Sequence, residues 1–376
     1  MIPRLMQFRI EAVLFRGKAV IIYGARRVGK TTLIRALQDK FPAQSVYLNC
    51  DEPDVRTGLT GATSTALKLL AGSRKVIFID EAQRVRNIGL TLKLLVDTFP
   101  EIQVVATGSS SLDLSGELAE PLTGRKYEFH LYPFALSELA VKHSALEIDR
   151  LLERRLIYGL YPEVEEKPAE AAGLLRVLAS SYLYKDVLQY QDLRRPELLE
   201  KLLAALALQI GREVSFNELA GLLGVTKQTV RRYVQLLGQA FVIFQLAPFS
   251  RNLRSELSKL RKIYFVDNGI RNAVLNNFNG LHLRADTGQL WENFLISERR
   301  KCLAIRERSA NAYFWRTHQQ QEIDYLEEEG GRLNGFEIKW RAGKFRVPPI
   351  FLQTYAGSSV RLVTRENYQD FISIDG

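Results

Sequence analysis

The sequence is short of cysteine and of long apolar stretches, and each shortage removes a class of protein. Of 376 residues only two are cysteine, Cys50 and Cys302, far apart and without a metal-ligand pattern around them. This argues against a disulfide framework or a zinc site and leaves both as inert thiols. No run of about 18 apolar residues occurs, so no membrane-spanning helix of ordinary length is expected. Met1 to Ile10 lack the apolar core of a signal peptide, and the expected location is the cytoplasm, with no membrane partner. What remains is 46% hydrophobic and 25% charged, enough apolar material for two or three packed cores.

Acidic residues are in deficit. The formal charge is +10, and residues 251–308 carry 12 Lys and Arg against 6 Asp and Glu, a local excess of +6. Such an excess favours a polyanionic partner, because each phosphate neutralised releases condensed counterions. A merely solubilising basic surface is the other reading.

Ala19 to Tyr23 reads as a buried strand and runs into Gly24-Ala25-Arg26-Arg27-Val28-Gly29-Lys30-Thr31, followed by a helix-like stretch opening at Thr32. This is GxxxxGK[ST] between strand and helix. Its glycines let successive N–H groups curl around a β-phosphate at a helix N-terminus, where the dipole favours an anion. The spacing expects Lys30 to bridge the β- and γ-phosphates of ATP and Thr31 to ligate Mg²⁺, with Thr32 completing the nucleotide cradle. A second apolar run, Val76 to Ile79, ends in Asp80-Glu81. An acid at a strand's carboxyl end is where α/β sheets place ligand chemistry. Asp80 is expected to hold Mg²⁺ through water, and Glu81 to polarise the attacking water. A third strand, Ile102 to Ala106, leads into Thr107-Gly108-Ser109, which makes Thr107 or Ser109 the candidate sensor of the γ-phosphate, unless they form an ordinary polar turn.

These strands, with Val46 to Leu48, alternate with helical patterns and predict a parallel sheet with crossover helices. GARRVGKTT, VIFIDEAQ, ATGSSS and PLTGRKYEFHLYPFALSEL together resemble an AAA-type archaeal and bacterial ATPase family of largely uncharacterised function. The likeness spans nearly the whole chain, and in that family a domain resembling PD-(D/E)XK nucleases usually follows the ATPase. By this resemblance Gly159-Leu160-Tyr161-Pro162 is a lid motif, with Pro162 near the nucleotide base; a plain turn between helices is the alternative. The resemblance also makes Arg125 an arginine finger reaching a neighbouring subunit, with Arg26 and Arg27 as rivals. A finger of that kind implies a homo-oligomer, of ring form.

Between about Leu139 and Leu206 the leucine spacing is helical. Ser215 with Glu218 then opens like a capping box, and Thr226 is placed to cap a second helix through Leu237. On that second helix Val230, Val234 and Leu237 fall on one side, while Gln228, Arg231, Arg232 and Gln235 fall on the other. This predicts a helix-turn-helix whose Lys227, Gln228, Arg231 and Arg232 meet nucleic acid, DNA in preference. An amphipathic helix packed on the ATPase is the competing reading.

Near the C-terminus, Glu337 and Lys339 alternate on one strand with Phe336, Ile338 and Trp340, so the two charges share a face. Asp324 on a preceding strand is expected to meet Glu337 across a hairpin, and Glu292 on the helix-like Thr287 to Arg300 to complete a Mg²⁺ shell. Lys339 then orients or deprotonates a water. The order matches E…D…ExK of PD-(D/E)XK nucleases, and metal-assisted phosphodiester hydrolysis is the chemistry it supports. Gln353 and Tyr355 stand where that family has a helical glutamine and tyrosine. The opposing reading keeps the fold for binding alone.

The sequence therefore predicts an α/β protein: a P-loop, AAA-type parallel sheet over 1–138, a helical lid and connector over 139–200, a winged helix-turn-helix over 201–250, and a small α/β PD-(D/E)XK-like domain over 251–376. The expected function is a Mg-dependent ATPase acting on nucleic acid, with a C-terminal nuclease site. The alternative is an ATP-gated switch that binds without cutting.

Overall fold

Short runs dense in Val, Ile, Leu, Phe and Tyr form strands that can be buried on both faces, and three such runs set the first sheet. Ala19–Tyr23 (β1), Val76–Asp80 (β3) and Gln103–Gly108 (β4) are buried along their whole length. Ser45–Asn49 (β2) and Lys126–His130 (β5) flank them in the order β2-β3-β4-β1-β5. Every pair in this sheet is parallel, as the alternation of strand and helix predicted. The computed structural model describes residues 2–108, 121–183, 195–250, 261–317 and 319–373. It divides into two units, one built mainly on Met1–Phe134 and the other on most of residues 135–376.

Parallel register brings the carboxyl ends of the central strands to one edge. Ile79 lies opposite Ala106, and Tyr23 opposite Gly108. The helix Lys30–Gln38 starts at that edge and buries Leu33, Ile34 and Leu37. Side chains such as Phe78 and Ile79, fully withdrawn from water, each contribute roughly 2–3 kcal/mol of hydrophobic stabilisation. β4 runs two residues beyond its predicted end, so Thr107 belongs to the strand rather than to a turn and is fully buried. β5 was not among the predicted strands.

The second unit opens with short helices, among them Leu136–Leu139, Ala145–Arg150, Leu152–Tyr158 and Pro162–Glu166. They precede the longer helix Pro196–Leu208. Glu213–Val214 (β6) comes next, then the helices Phe216–Leu223 and Lys227–Gln239, then Ile243–Pro248 (β7) and Arg261–Phe265 (β8). Ser215 Oγ accepts the Glu218 N–H at 3.3 Å to start the first of these two helices, and Gly224, at φ +65°, ends it in the left-handed region. The helix Thr287–Arg306 leads into Asn311–Arg316 (β9), Glu322–Glu329 (β10), Arg332–Ile338 (β11) and Ser359–Val363 (β12). Seven strands form one sheet, β12-β11-β10-β9-β7-β8-β6, so the sheet continues across residue 250. β10 and β11 form the expected hairpin, turned by Gly330 and Gly331 at positive φ. Trp315, Ile323, Leu326, Leu333, Phe351 and Tyr355 pack together, with Phe249 against them. Tyr355 is thus a core aromatic, and Gln353 is exposed.

Gly159 and Leu160, predicted as part of a lid, serve here to seat a buried acid. The Leu160 N–H donates to Asp267 Oδ2 at 2.7 Å, while Asp267 Oδ1 accepts from Gly269 and Ile270 and caps the helix Asn268–Val274. A Cβ on Gly159 would lie 1.9 Å from Asp267 Oδ1, and its φ of +69° with ψ of −161° is a region almost reserved for glycine. Gly159→Ala is expected to destabilise the protein by about 2–4 kcal/mol from clash and backbone strain. A thermal melt followed by circular dichroism checks this; an unchanged midpoint would contradict the packing.

Candidate active site

The loop after β1 curls because its residues permit it and its neighbours demand it. Gly24 passes so close to β5's exit that a Cβ would lie 2.3 Å from the Leu131 carbonyl oxygen. Arg27 at φ +59° and Gly29 at φ +94° provide the left-handed turns that aim the loop's amides inward. Ala25 and Val28 are buried, and Arg26 is half-buried. Lys30 is buried and donates at 2.9 Å to the carbonyls of both Gly24 and Ala25. Two of its contacts thereby hold the ammonium within the loop. The Thr31 hydroxyl turns toward β3, and Thr32 is exposed on the first helical turn.

Asp80, at the end of β3, gathers hydroxyls. Its Oδ2 accepts from Thr31 Oγ1 at 2.7 Å and from Tyr47 OH at 2.7 Å, and its Oδ1 accepts from Thr107 Oγ1. The structure thus joins the three expected elements, loop, acid and third strand, at one carboxylate. Glu81 follows in a left-handed conformation, φ +53°, with its N–H donating to Thr107 Oγ1 at 3.2 Å. Gln83 Nε2 donates to Glu81 Oε2 at 2.5 Å. Ser109 lies outside the described residues. Arg125 is on the surface, where its Nε meets Asp97 at 2.6 Å. Pro162 begins a short helix of the second unit.

Three residues of this site had no role assigned to them from the sequence. Arg4 donates to the Val28 carbonyl at 2.6 Å and to the Tyr132 carbonyl at 2.7 Å, holding the phosphate loop from behind. Tyr47 approaches Asp80 from the neighbouring strand, with the Arg35 guanidinium 3.4 Å from its ring centroid. Burial and the hydrogen bond to Asp80 hold its phenol well above the ordinary tyrosine range. Gln83 is the third. Cys50, beside Asp80, is a free, buried cysteine, burial having pushed its thiol up to about 12.

The C-terminal acids do come together, around a lysine. Lys262, on β8, points its ammonium among them: 2.5 Å from Glu322 Oε1, 3.3 Å from Glu292 Oε1 and 3.6 Å from Asp324 Oδ1. Asp324 Oδ2 accepts the Ile338 N–H at 2.9 Å, and Tyr264 OH donates to Glu292 at 2.6 Å. Glu337 and Lys339 share a face as predicted, paired at 2.7 Å. Burial works against the charge on Lys262, yet Tyr264, Glu292, Asp324 and Glu322 hold its pKa well above the usual lysine value. Burial lifts the Glu292 carboxyl to about 7, against the pull of Lys262. Among the described residues no group of three His, Cys, Asp or Glu is disposed to hold a metal ion. A lysine that the sequence did not single out lies within reach of two of the three acids expected to form the shell, Glu292 and Asp324.

On the helix Lys227–Gln239, Val230, Val234 and Leu237 are buried, while Lys227, Gln228, Arg231 and Arg232 are exposed. The sidedness is the one predicted. Among the described residues no helix is long and apolar enough to cross a membrane.

A phosphate loop, an acid at the end of the third-numbered strand and a parallel five-stranded sheet together define a P-loop ATPase domain. An AAA domain matches residues 16–140, and two domains of unknown function, DUF8612 and DUF4143, match residues 149–280 and 287–348. An uncharacterized protein of Mycobacterium tuberculosis is 31% identical over 336 residues, spanning 88% of this chain and 72% of its own length. An uncharacterized protein of Methanocaldococcus jannaschii is 25% identical over 338 residues, spanning 84% and 74%. One from Haemophilus influenzae is 26% identical over 272 residues, spanning 67% and 68%. The chain belongs to this family of AAA-type ATPases, and its AAA domain makes it a nucleotide-binding protein.

Lys30→Met is expected to weaken ATP binding by about 2–3 kcal/mol, the worth of a charge-assisted contact. Arg4→Ala, which leaves the buried Val28 carbonyl without its partner, is expected to cost about 1–2 kcal/mol. Isothermal calorimetry with ATP checks both; equal binding by Lys30→Met and the unaltered protein would remove the loop from nucleotide recognition.

Proposed function

We propose that the protein is an ATP-driven switch on nucleic acid, in which nucleotide binding and hydrolysis alter the grip of the C-terminal half. The observation that carries the reading is the convergence of Thr31, Asp80 and Thr107 beside the Lys30 loop. Thr31 and Asp80 fit Mg²⁺: a hydroxyl and a carboxylate, 2.7 Å apart at the foot of the loop, are hard oxygen donors. Thr31 would hold the ion directly and Asp80 through water. Bound there, the ion neutralises charge on the β- and γ-phosphates. Lys30 exchanges its two carbonyls for phosphate oxygens. Glu81, freed from Gln83, polarises the attacking water, and Thr107 with Ser109 registers the γ-phosphate. Arg125, on the surface, is the candidate to act on the site of a neighbouring copy in an oligomer, with Arg26 and Arg27 as the alternatives inside the loop.

The nucleic-acid part of the reading rests on the middle of the chain. The helix Pro196–Leu208, β6, two helices, β7 and β8 follow in the order of a winged helix, with β6 pairing β8 and β8 pairing β7. Lys227, Gln228, Arg231 and Arg232 are exposed on the second of the two helices, where a recognition helix carries its contacts. The formal charge of +10 gives the protein a net positive field of the kind that draws phosphates. Binding without cutting is the reading of the C-terminal half that the buried Lys262 favours, its ammonium lying among Glu292, Glu322 and Asp324.

Arg231→Ala with Arg232→Ala is expected to weaken DNA binding and to reduce the salt dependence by roughly two counterions. Fluorescence anisotropy over a salt series reads both; identical affinity and slope would take this helix out of the interface. Glu81→Gln is expected to keep ATP binding and to lose hydrolysis by on the order of a hundredfold or more, as the removal of a general base does. Assays with and without DNA or RNA, at several protein concentrations, measure that loss, and a rise in specific activity with concentration supports hydrolysis across subunits.

A further inference from the structure

We infer that Lys262 is the built-in cation of the C-terminal acid cluster and stands where a divalent metal would otherwise be shared by Glu292 and Asp324. This goes beyond the switch reading and does not depend on it. Three observations converge. Lys262 is among the most deeply buried charges of the chain, 2% exposed, so its ammonium is a fixed part of the interior. Its nitrogen lies within 3.6 Å of oxygens from three acids on two elements: Glu292 from the helix Thr287–Arg306, and Glu322 and Asp324 from β10. Further contacts hold these acids in place. Asp324 Oδ2 takes the Ile338 N–H, Glu337 Oε1 takes Lys339, and Glu292 Oε1 also takes Tyr264 OH.

The backbone also passes close to Glu292. Gly211, at φ +72°, carries the backbone so near that a Cβ there would lie 3.2 Å from Glu292 Oε2. Glu337 Oε2 is buried without a hydrogen-bond partner, and on its own that oxygen falls far short of the near-octahedral oxygen set that Mg²⁺ demands. A metal placed between Glu292 and Asp324 would meet an ammonium already in contact with both, and two buried cations sharing the same acids repel in a medium that screens little. Expelling the lysine instead would break a buried charge pair, which is strongly unfavourable. The cluster therefore ties β8, β10 and the helix together through charge, with no ion needed.

Electron paramagnetic resonance of Mn²⁺ titrated into the nucleotide-free full chain tests this, because bound Mn²⁺ is read directly and no activity is involved. The unaltered protein, Glu292→Gln and Asp324→Asn are expected to take up the same amount of Mn²⁺. Lys262→Met, which removes the resident cation and keeps the acids, is expected to gain a single additional equivalent that Glu292→Gln removes again. Uptake that falls by an equivalent in Glu292→Gln or Asp324→Asn alone would overturn the inference, since those acids would then hold metal beside the lysine. A folded Lys262→Met protein with no gain would overturn it too. Should Lys262→Met fail to fold by circular dichroism, the comparison of the unaltered protein with the two acid variants decides.

Discussion

The first unit depends on a geometric constraint: parallel strands end at the same edge of a sheet. β1, β3 and β4 are hydrogen-bonded in register, so the residues that follow β1 and those that finish β3 and β4 must lie side by side whatever their separation in sequence. Asp80 and Thr31 are 49 positions apart and in contact at 2.7 Å. The strands can hold that register because both faces are covered by apolar side chains. Burial of one kind of residue thus fixes the position of another kind, and the polar groups at the strand ends inherit a precision that no loop would give them.

What was legible in the sequence follows from this. A motif confined to consecutive residues, such as Gly24 to Thr31, states its own conformation, because each glycine is required where it stands. The alternation of strand and helix announced the parallel sheet, and the period-two pattern around Phe336 to Trp340 announced that Glu337 and Lys339 share a face, as they do at 2.7 Å. Arg4, Tyr47 and Lys262 were invisible for one reason. Each acts on residues far away in the chain, Arg4 on Tyr132 at a separation of 128 positions, and an isolated Arg, Tyr or Lys has no pattern to mark it. The lid motif failed to declare its contact for a similar reason: a glycine that needs a positive φ looks the same whether it bends toward a nucleotide or, as Gly159 does, toward a buried aspartate.

The two units also show how partners decide the use of the same side chain. Lys30 and Lys262 are both buried, at 5% and 2% exposure. Lys30 donates to two backbone carbonyls of its own loop. A phosphate oxygen offers a charge-assisted hydrogen bond about twice as strong as those it replaces, so the exchange runs toward the ligand and the loop is a receiver. Lys262 rests among three acids. Any ligand that drew it away would leave carboxylates buried and unpaired, a loss of roughly 3–5 kcal/mol, so the exchange runs back toward the protein and the cluster is a fastening. An ammonium kept on weak acceptors is available to a substrate, and one kept on strong acceptors is not. By this criterion the loop at the edge of the first sheet is built to take up a ligand, and the Lys262 cluster is built to hold its elements together.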